Sequence, residues 1–255
     1  MGSVKRLLPA GLRLPGSAEM TAHPDGVAGV GLAVLLLATA LGSVVTVRGS
    51  VATGELGLDQ QIAAHRVAPL VWAAQVANVA FGPTVAPVLL LAACAVVAVR
   101  NRWAAMVFGA ATVIGWFSVE LGKLFFARPR PPMLAVHALV HETGADSYPS
   151  GHTAFVAAAL AGALLALRVS RRRSRWAWLI GLPLVVGVAF SRLYLGAHYL
   201  GDVIGSLLYV AGTVLVLCAG VSVAIQRWFR HDAPAMTSPS AAAASADAPS
   251  GPSTP

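Results

Sequence analysis

Long apolar runs separated by short polar segments dominate the chain between Val27 and Ile225. Six of these runs are near the length of about 20 residues that a helix needs to cross a bilayer core. We predict membrane spans at residues 27–47, 84–99, 103–126, 152–167, 176–195 and 199–225. The predicted fold is therefore all-α, a six-span transmembrane helical bundle.

The remaining segments are shorter or polar. The stretch Val67–Phe81 is too short to span comfortably and ends at Gly82-Pro83, a strong turn signal. It either lies at the interface or leads into the second span, and a short amphipathic helix precedes it at Leu58–Arg66. We predict a flexible cytoplasmic arm at 1–26, a membrane domain at 27–230, and a disordered cytoplasmic tail at 231–255, which is rich in Ala, Ser and Pro.

Composition excludes an ordinary soluble domain. The chain of 255 residues is 57% apolar and only 11% charged, and its mean hydropathy is +0.73. The net charge of +8 does not indicate a nucleic-acid partner, because the cations lie in short clusters between apolar runs. Cys94 and Cys218 both lie inside apolar runs, so we expect neither a disulfide framework nor a cysteine-bound metal.

The distribution of Lys and Arg predicts the orientation in the membrane. Cytoplasmic loops of membrane proteins collect these residues. With the amino terminus inside, the cytoplasmic segments hold Lys5, Arg6, Arg13, Arg100, Arg102, Arg168, Arg171, Arg172, Arg173, Arg175, Arg227 and Arg230, whereas the outside holds Arg48, Arg66, Lys123, Arg128, Arg130 and Arg192. We therefore expect a multi-pass plasma-membrane protein with both termini in the cytoplasm.

Three charged clusters lie at the predicted extracytoplasmic ends of the spans. They read Lys123-(six residues)-Arg130-Pro131, Pro149-Ser150-Gly151-His152 and Ser191-Arg192-(five residues)-His198-(three residues)-Asp202. Ionisable side chains are costly near lipid and mark functional sites there. The three clusters together offer the cations Lys123, Arg130 and Arg192, and the backbone N–H groups of Ser150 and Gly151 at a helix amino terminus. Such a set predicts a site for a multiply charged anion, with phosphate as the candidate.

The two histidines have different surroundings and therefore different predicted roles. His198 and Asp202 are four residues apart on one helix face, so Asp202 can hold Nδ1–H and leave Nε2 as a nucleophile. His152 has no such carboxylate in its own segment, and we predict that it donates a proton to the leaving oxygen. Three fixed cations take the role of magnesium, so no metal and no other cofactor is expected.

The three motifs, in this order and with this spacing, resemble the signature of the type 2 phosphatidic acid phosphatase family. The resemblance covers residues 123–202. It implies an integral membrane lipid-phosphate phosphatase whose core fold is shared with the soluble vanadium haloperoxidases. It also implies that His198 is the nucleophile and His152 the acid. Tyr148 stands where the family often has Phe, and Arg128 adds a cation that we interpret as facing lipid headgroups, with a phosphate contact as the alternative.

Other polar residues near the motifs have simpler interpretations. Glu120 lies three residues before Lys123 inside a predicted span, and we expect the two to form an ion pair. The side chains of His137, His141, Glu142 and Asp146 are assigned to a solvated loop. The alternative is that they border the entrance of the site.

These expectations lead to one function and two alternatives. We predict hydrolysis of the phosphomonoester or diphosphate of a lipid such as undecaprenyl diphosphate, phosphatidylglycerol phosphate or phosphatidic acid, on the extracytoplasmic face and through a phosphohistidine. The first alternative is a lipid or anion transporter or flippase without hydrolysis, which the missing internal repeat and the helix-end position of the charges disfavour. The second is an oxidase built on bound vanadate, which six spans disfavour.

Overall fold

The computed structural model describes residues 23–142, 144 and 146–231. These residues form eight helices and no strand. The helices are α1 (Pro24–Ala52), α2 (Glu55–Ala64), α3 (Ala68–Ala80), α4 (Ala86–Ala98), α5 (Arg102–Lys123), α6 (Gly151–Val169), α7 (Arg175–Tyr194) and α8 (Leu200–His231). The all-α prediction is confirmed for this part of the chain. The predicted arm and tail fall, apart from a few residues, outside the described residues.

Local sequence explains where several helices begin and end. The Asn101 side chain accepts hydrogen bonds from the backbone N–H groups of Trp103 and Ala104, which caps the start of α5. Gly49 has a φ of 73°, in the left-handed region that glycine enters at little cost, and it breaks the last turns of α1. The chain can therefore bend into α2 instead of continuing along α1.

Small residues allow the helices to pack closely. A Cβ at Gly31 of α1 would lie 3.0 Å from the carbonyl oxygen of Gly212 in α8, and one at Gly115 of α5 would lie 2.9 Å from the Cβ of Ala158 in α6. Close approach of this kind is how membrane helices associate, because lipid provides no hydrophobic driving force. Gly31 lies near Val216, whereas Val45 lies near Gly201, so α1 and α8 are antiparallel.

All three charged motifs lie at one end of the bundle, called the site end below. Lys123 closes α5, His152 opens α6, Arg192 lies in the last turn of α7, and Asp202 lies in the first turn of α8. The prediction that the motifs share one side is therefore consistent with the helix directions. The opposite end holds Asn101, whose amide contacts the Ser170 hydroxyl at 3.3 Å.

The helices α2 and α3 both stay at the site end. The Val67 N–H, just before α3, is donated to the Tyr194 hydroxyl at 2.6 Å. Near the other end of α3, the Asn78 carbonyl contacts His152. Arg66, between the two helices, donates to the backbone carbonyls of Tyr194, His137 and Val136 and so ties this junction to the loop after α5. The stretch Val67–Phe81 therefore lies across the site end and does not lead straight into α4.

The number of long spans differs from the prediction. Five described helices are long and apolar enough to cross a membrane: α1, α5, α6, α7 and α8. The helix α4 has only 13 residues, about 20 Å at 1.5 Å per residue. The prediction of six full-length spans is thus confirmed for five. The shortfall arises because Pro83 and Pro87 confine regular helix to the later part of the segment.

The segment around α4 nevertheless joins the two ends of the bundle. Its start lies at the site end, where Gly82 is close to His152, and Asn101 after it lies at the opposite end, next to Ser170. These are also the two ends of α6. Large apolar side chains on the outside of the bundle are exposed, among them Leu36, Leu91 and Ile180. Several apolar helices of this kind indicate a multi-pass membrane protein.

Candidate active site

The His198 ring is buried and held from both nitrogens. It lies in the loop between α7 and α8, and only 1% of the residue is exposed. Its Nδ1 is 2.8 Å from the Ser147 carbonyl oxygen, which can only accept, so Nδ1 carries the hydrogen. Its Nε2 is 3.2 Å from Arg130 Nη1, which can only donate, so Nε2 presents a lone pair. This is the tautomer that a nucleophilic Nε2 requires.

The surroundings keep His198 neutral. Burial lowers the pKa of His198 to about 4, and the positive charges of Arg192 and Arg130 act in the same direction, whereas Asp202 opposes them. The ordinary histidine pKa is about 6.5. The lone pair on Nε2 is therefore available throughout the neutral pH range.

Asp202 lies near His198, but it is not the main acceptor of Nδ1–H. Its Oδ2 is 3.5 Å from Nδ1, longer than a hydrogen bond, and accepts from the Ser147 hydroxyl and, at 2.8 Å, from the Tyr199 N–H. Its Oδ1 accepts from Arg128. The prediction that Asp202 holds Nδ1–H directly is thus corrected. The Ser147 backbone takes that place because the loop before α6 folds over the ring.

Arg192 is fully buried and binds two groups from distant parts of the chain. Its Nη1 donates to the Asn78 side-chain oxygen, and its Nη2 donates to the Glu142 carboxylate. A buried guanidinium needs such partners, because an unpaired charge out of water is strongly destabilising. The two partners come from α3 and from the loop before α6, neither of which belongs to a predicted motif.

Glu142 lies among the predicted catalytic groups. Burial alone would raise the pKa of Glu142, but nearby positive charge, that of Arg192 above all, lowers it below its usual value. One carboxylate thus lies within the electrostatic reach of both histidines and two arginines. A cavity of about 230 Å³ opens beside Arg130 and Glu142. The assignment of Glu142 to a solvated loop was wrong, because its carboxylate lies on Arg192.

His152 opens α6 and contacts the end of α3. Its Nε2 is 3.0 Å from the Asn78 carbonyl oxygen, so this nitrogen carries a hydrogen. Asn78 therefore binds His152 with its backbone and Arg192 with its side chain. The structure brings His152 to the same pocket as Arg192, in agreement with the expected convergence of the second and third motifs.

The cations of the first motif take different positions. Lys123 Nζ forms the expected ion pair with Glu120 at 2.9 Å and lies near the start of α6, where a Cβ at Gly151 would be 3.7 Å from it. The Arg130 side chain lies against His198: it donates to His198 Nε2 and to the backbone carbonyls of Gly144 and Ala197. Arg130 lines the cavity beside Glu142 and contacts His198, whereas the contacts of Lys123 are with Glu120 and the start of α6.

The Ser150 amide is not a free anion donor. Its N–H is donated to the Asp202 carbonyl oxygen at 3.2 Å, and the residue is fully buried. The predicted phosphate contact through Ser150 N–H is therefore wrong in this structure. Its carbonyl accepts from Ser206, so Ser150 joins the start of α6 to α8 instead. The phosphate contact of Gly151 stays a prediction.

Arg128 does not face lipid headgroups. Only 2% of the residue is exposed, and its two terminal nitrogens donate to Asp202 and to Glu55 of α2. The interpretation from sequence was wrong, because spacing along the chain gave no sign of the carboxylate that α2 brings to this position. Glu55 was not singled out at all.

Five residues at the site were thus missed or misjudged from the sequence: Glu55, Asn78, Arg128, Glu142 and Ser147. One usable signal existed for Asn78, a polar residue in an otherwise apolar stretch, which is costly unless it has a task. Glu142 and Glu55 lie in polar segments, where an acidic residue is ordinary. Only the packing of these segments against the motifs distinguishes them.

Comparison with known proteins supports the family resemblance. Residues 103–227 match the PAP2 superfamily. The fold is similar to the crystal structure of the first transmembrane PAP2-type phosphatidylglycerolphosphate phosphatase from Bacillus subtilis, with a TM-score of 0.63 and 21% identity over 78% of this chain and 98% of that chain. No curated protein matches the sequence. The resemblance inferred from the three motifs is confirmed by the superfamily match and by the shared fold.

Proposed function

We propose, on the premise of the PAP2 superfamily match over residues 103–227, that this chain is an integral membrane phosphatase that hydrolyses a lipid phosphate or diphosphate. The observation that carries the proposal is the position of the Glu142 carboxylate, which binds Arg192 and lines a cavity together with Arg130. An anion is therefore stable where the nucleophile and the acid can both reach it. A phosphoryl group, with more charge and more acceptor oxygens, suits the same position better.

The proposed reaction proceeds in two steps. His198 Nε2 attacks phosphorus, the N–P bond forms and the bond to the leaving oxygen breaks. His152 gives a proton to that oxygen. Water then hydrolyses the phosphohistidine: His152 takes a proton from the attacking water, the N–P bond breaks, phosphate leaves, and neutral His198 and protonated His152 are restored. Lys123, Arg130, Arg192 and the Gly151 N–H stabilise the charge on the non-bridging oxygens.

The proposed reaction does not need a metal ion, because fixed cations surround the anion position. Among residues 23–142, 144 and 146–231 there is no group of three or more His, Cys, Asp or Glu side chains placed to hold one. We expect EDTA to leave the activity intact, and strict dependence on added metal would contradict this part of the proposal.

A groove below the site supports a lipid as the substrate. It has a volume of about 400 Å³, is lined almost entirely by apolar side chains, and begins at Phe81 and Phe155, one turn below His152. It continues to Trp176 near the opposite end of the bundle. A hydrocarbon chain lying there would place its phosphorylated head at the site end. Candidate substrates are undecaprenyl diphosphate, phosphatidylglycerol phosphate and phosphatidic acid, and phosphatidylglycerol phosphate is the substrate class in the name of the Bacillus subtilis protein.

The test is phosphate release from these lipids by purified protein in detergent. We expect His198→Ala to lower the rate by at least about 10³-fold, because removing a covalent nucleophile removes most of the rate enhancement. The matched control is His65→Ala, which removes an exposed imidazole at the end of α2 and should retain activity. Equal rates in wild type and His198→Ala would overturn the nucleophile assignment. Lipid transfer between leaflets without phosphate release would favour a flippase.

A further inference from the structure

Arg128 forms a buried fork between two carboxylates from distant segments. Its Nη1 donates to Asp202 Oδ1 and its Nη2 donates to Glu55 Oε2, and both acidic residues are buried. Its guanidinium also lies over the Tyr199 ring, 4.5 Å from the centroid. A guanidinium removed from water in this way is stable only when its donors are satisfied. Both terminal nitrogens of Arg128 thus bind carboxylates of the protein, and the residue is only 2% exposed, so its position fits a task other than binding a substrate phosphate.

Glu55 reaches the Asp202 turn by two routes. Its Oε2 binds Arg128 and accepts from the Thr53 hydroxyl at 2.7 Å. Its Oε1 accepts the backbone N–H of Gly201, the residue before Asp202, also at 2.7 Å. A Cβ at position 201 would lie 2.8 Å from Oε1, so glycine allows this close approach. Glu55 thus binds the backbone of Gly201, next to Asp202, and also binds Arg128, which is the side-chain partner of Asp202.

Asp202 transmits this restraint to the nucleophile. Its Oδ2 accepts from the Ser147 hydroxyl, and the Ser147 carbonyl accepts Nδ1–H of His198. The contacts therefore form a continuous series from Glu55 through Arg128, Asp202 and Ser147 to the imidazole. Residue 55 lies outside the superfamily match at 103–227, so α2 adds this restraint to the matched core.

We propose that Glu55 and Arg128 are positioning residues of the phosphatase site, which hold Asp202 and Ser147 and so fix the orientation and the electrostatic environment of His198. This inference rests on the proposed function. The His198 ring gains positive charge when Nε2 attacks phosphorus, and the Asp202 carboxylate stabilises that charge. Glu55 offsets the positive charge of Arg128, so that Arg128 can orient Asp202 without cancelling its field at the ring.

The neighbouring carboxylate of α2 does not serve the same purpose. Asp59 is buried one turn after Glu55, and neither of its oxygens has a hydrogen-bond partner among the described residues. Burial, together with the charges of Asp202 and Glu55, raises the pKa of Asp59 to about 7. Glu55 is therefore the carboxylate that neutralises Arg128.

The test combines kinetics with anion binding. Glu55→Gln keeps the size and shape of the side chain but removes its negative charge. Arg128→Lys keeps the positive charge but removes the planar guanidinium that binds two carboxylates at once. We expect each variant to lower kcat by roughly 10- to 100-fold, the range seen when a positioning partner of a reactive group is lost. KM and the inhibition constant for inorganic phosphate should stay within about twofold of wild type, because Arg130 and Arg192 are untouched. The control is Gln60→Ala, an exposed change in the same helix.

A purely structural role gives a different result. The folded fraction would fall while kcat per folded molecule stayed at the wild-type value, or KM and the inhibition constant for inorganic phosphate would rise together with the loss of kcat. Either outcome would overturn the inference. Glu55→Gln should also add little to the loss caused by His198→Ala, because residues acting as a unit are not additive.

A readout without turnover separates this inference from the proposed function. In protein labelled with 15N at the histidine rings, the His198 signals, assigned by their loss in His198→Gln, should shift in Glu55→Gln and not in Gln60→Ala. Unchanged signals would overturn the positioning role even in an active phosphatase. Shifted signals in a protein that releases no phosphate would uphold the contact and reject the function.

Discussion

Most cations of the site are paired with carboxylates. Lys123 pairs with Glu120, Arg128 with Glu55 and Asp202, and Arg192 with Glu142. The pairs differ in their exposure to solvent. Arg128 and its two carboxylate partners are buried, whereas the Glu142 side chain is partly exposed and lies beside an open cavity. In the proposed reaction, a substrate phosphate would therefore compete with Glu142 for Arg192 and would leave Asp202 on Arg128.

This competition predicts the effect of Glu142→Gln. Removing the charge leaves Arg192 without its ionic partner, so an incoming anion no longer has to displace one. We expect the Kd for vanadate, and the inhibition constant for inorganic phosphate, to fall by roughly tenfold, which is the value of one charge-assisted hydrogen bond of about 1.4 kcal/mol. The measurement is the vanadate-induced rise in Tm, together with inhibition of phosphate release.

The control for Glu142→Gln is His141→Gln, an exposed change in the same loop. This variant should bind vanadate as wild type does. Weaker binding by Glu142→Gln would show that Glu142 assists the anion and does not compete with it, and unchanged binding would place the anion away from Arg192.

At the scale of the helices, Tyr148 joins the loop before α6 to both α1 and α8. Tyr148 is fully buried, donates to the Ala38 carbonyl in α1 and packs edge-on against Phe126 at 5.2 Å between ring centroids. Gly205 of α8 faces the Tyr148 ring, and a Cβ at that position would overlap it. The loop that holds Ser147 is therefore fixed in place by α1 and α8 together.

This packing predicts opposite effects for two glycine substitutions in α8. Gly205→Ala places a methyl group in the Tyr148 ring, and overpacking of this kind costs about 1–3 kcal/mol. Gly220→Ala meets open space, because no atom lies within 4 Å of its Cβ position. It should raise stability slightly, since alanine favours helix over glycine by up to about 1 kcal/mol.

Thermal unfolding in detergent measures both glycine variants. The expected order of Tm is Gly220→Ala above wild type and Gly205→Ala below it. A Gly205→Ala protein as stable as Gly220→Ala would show that Tyr148 does not lie against α8.

For the whole molecule, the directions of the helices determine how many times the chain passes from one end of the bundle to the other. The helices α1, α5, α6, α7 and α8 each run from one end to the other, and α2 and α3 stay at the site end. The segment from Gly82 to Asn101 must then return the chain to the opposite end before α5 begins. The helix directions are therefore consistent with six passages between the two ends, of which the one through α4 is short, and they place the start of α1 and the end of α8 at the end opposite the site.

Cysteine labelling tests the predicted orientation. Cys94 and Cys218 are first replaced by alanine, and single cysteines are introduced as Gln60→Cys at the site end and Arg173→Cys at the opposite end, both exposed positions. Because Lys and Arg predominate at the opposite end, a membrane-impermeant maleimide should label Gln60→Cys on intact cells. Arg173→Cys should react only after the membrane is opened.

The reverse labelling pattern would place the site in the cytoplasm. Labelling of both positions on intact cells would contradict an odd number of crossings between them.

The sequence by itself determined the helical class and the three motifs, and it predicted the kind of ligand, because each depends on spacing within one or two helical turns or on the cost of charge in an apolar run. The tertiary structure decided which groups those motifs meet. Ser147 and not Asp202 accepts Nδ1–H of His198, and Arg128 is buried between Asp202 and Glu55. Such partners are 50 or more positions apart in the chain. Contact between them depends on how whole helices pack, and the spacing of residues along the chain does not contain that information.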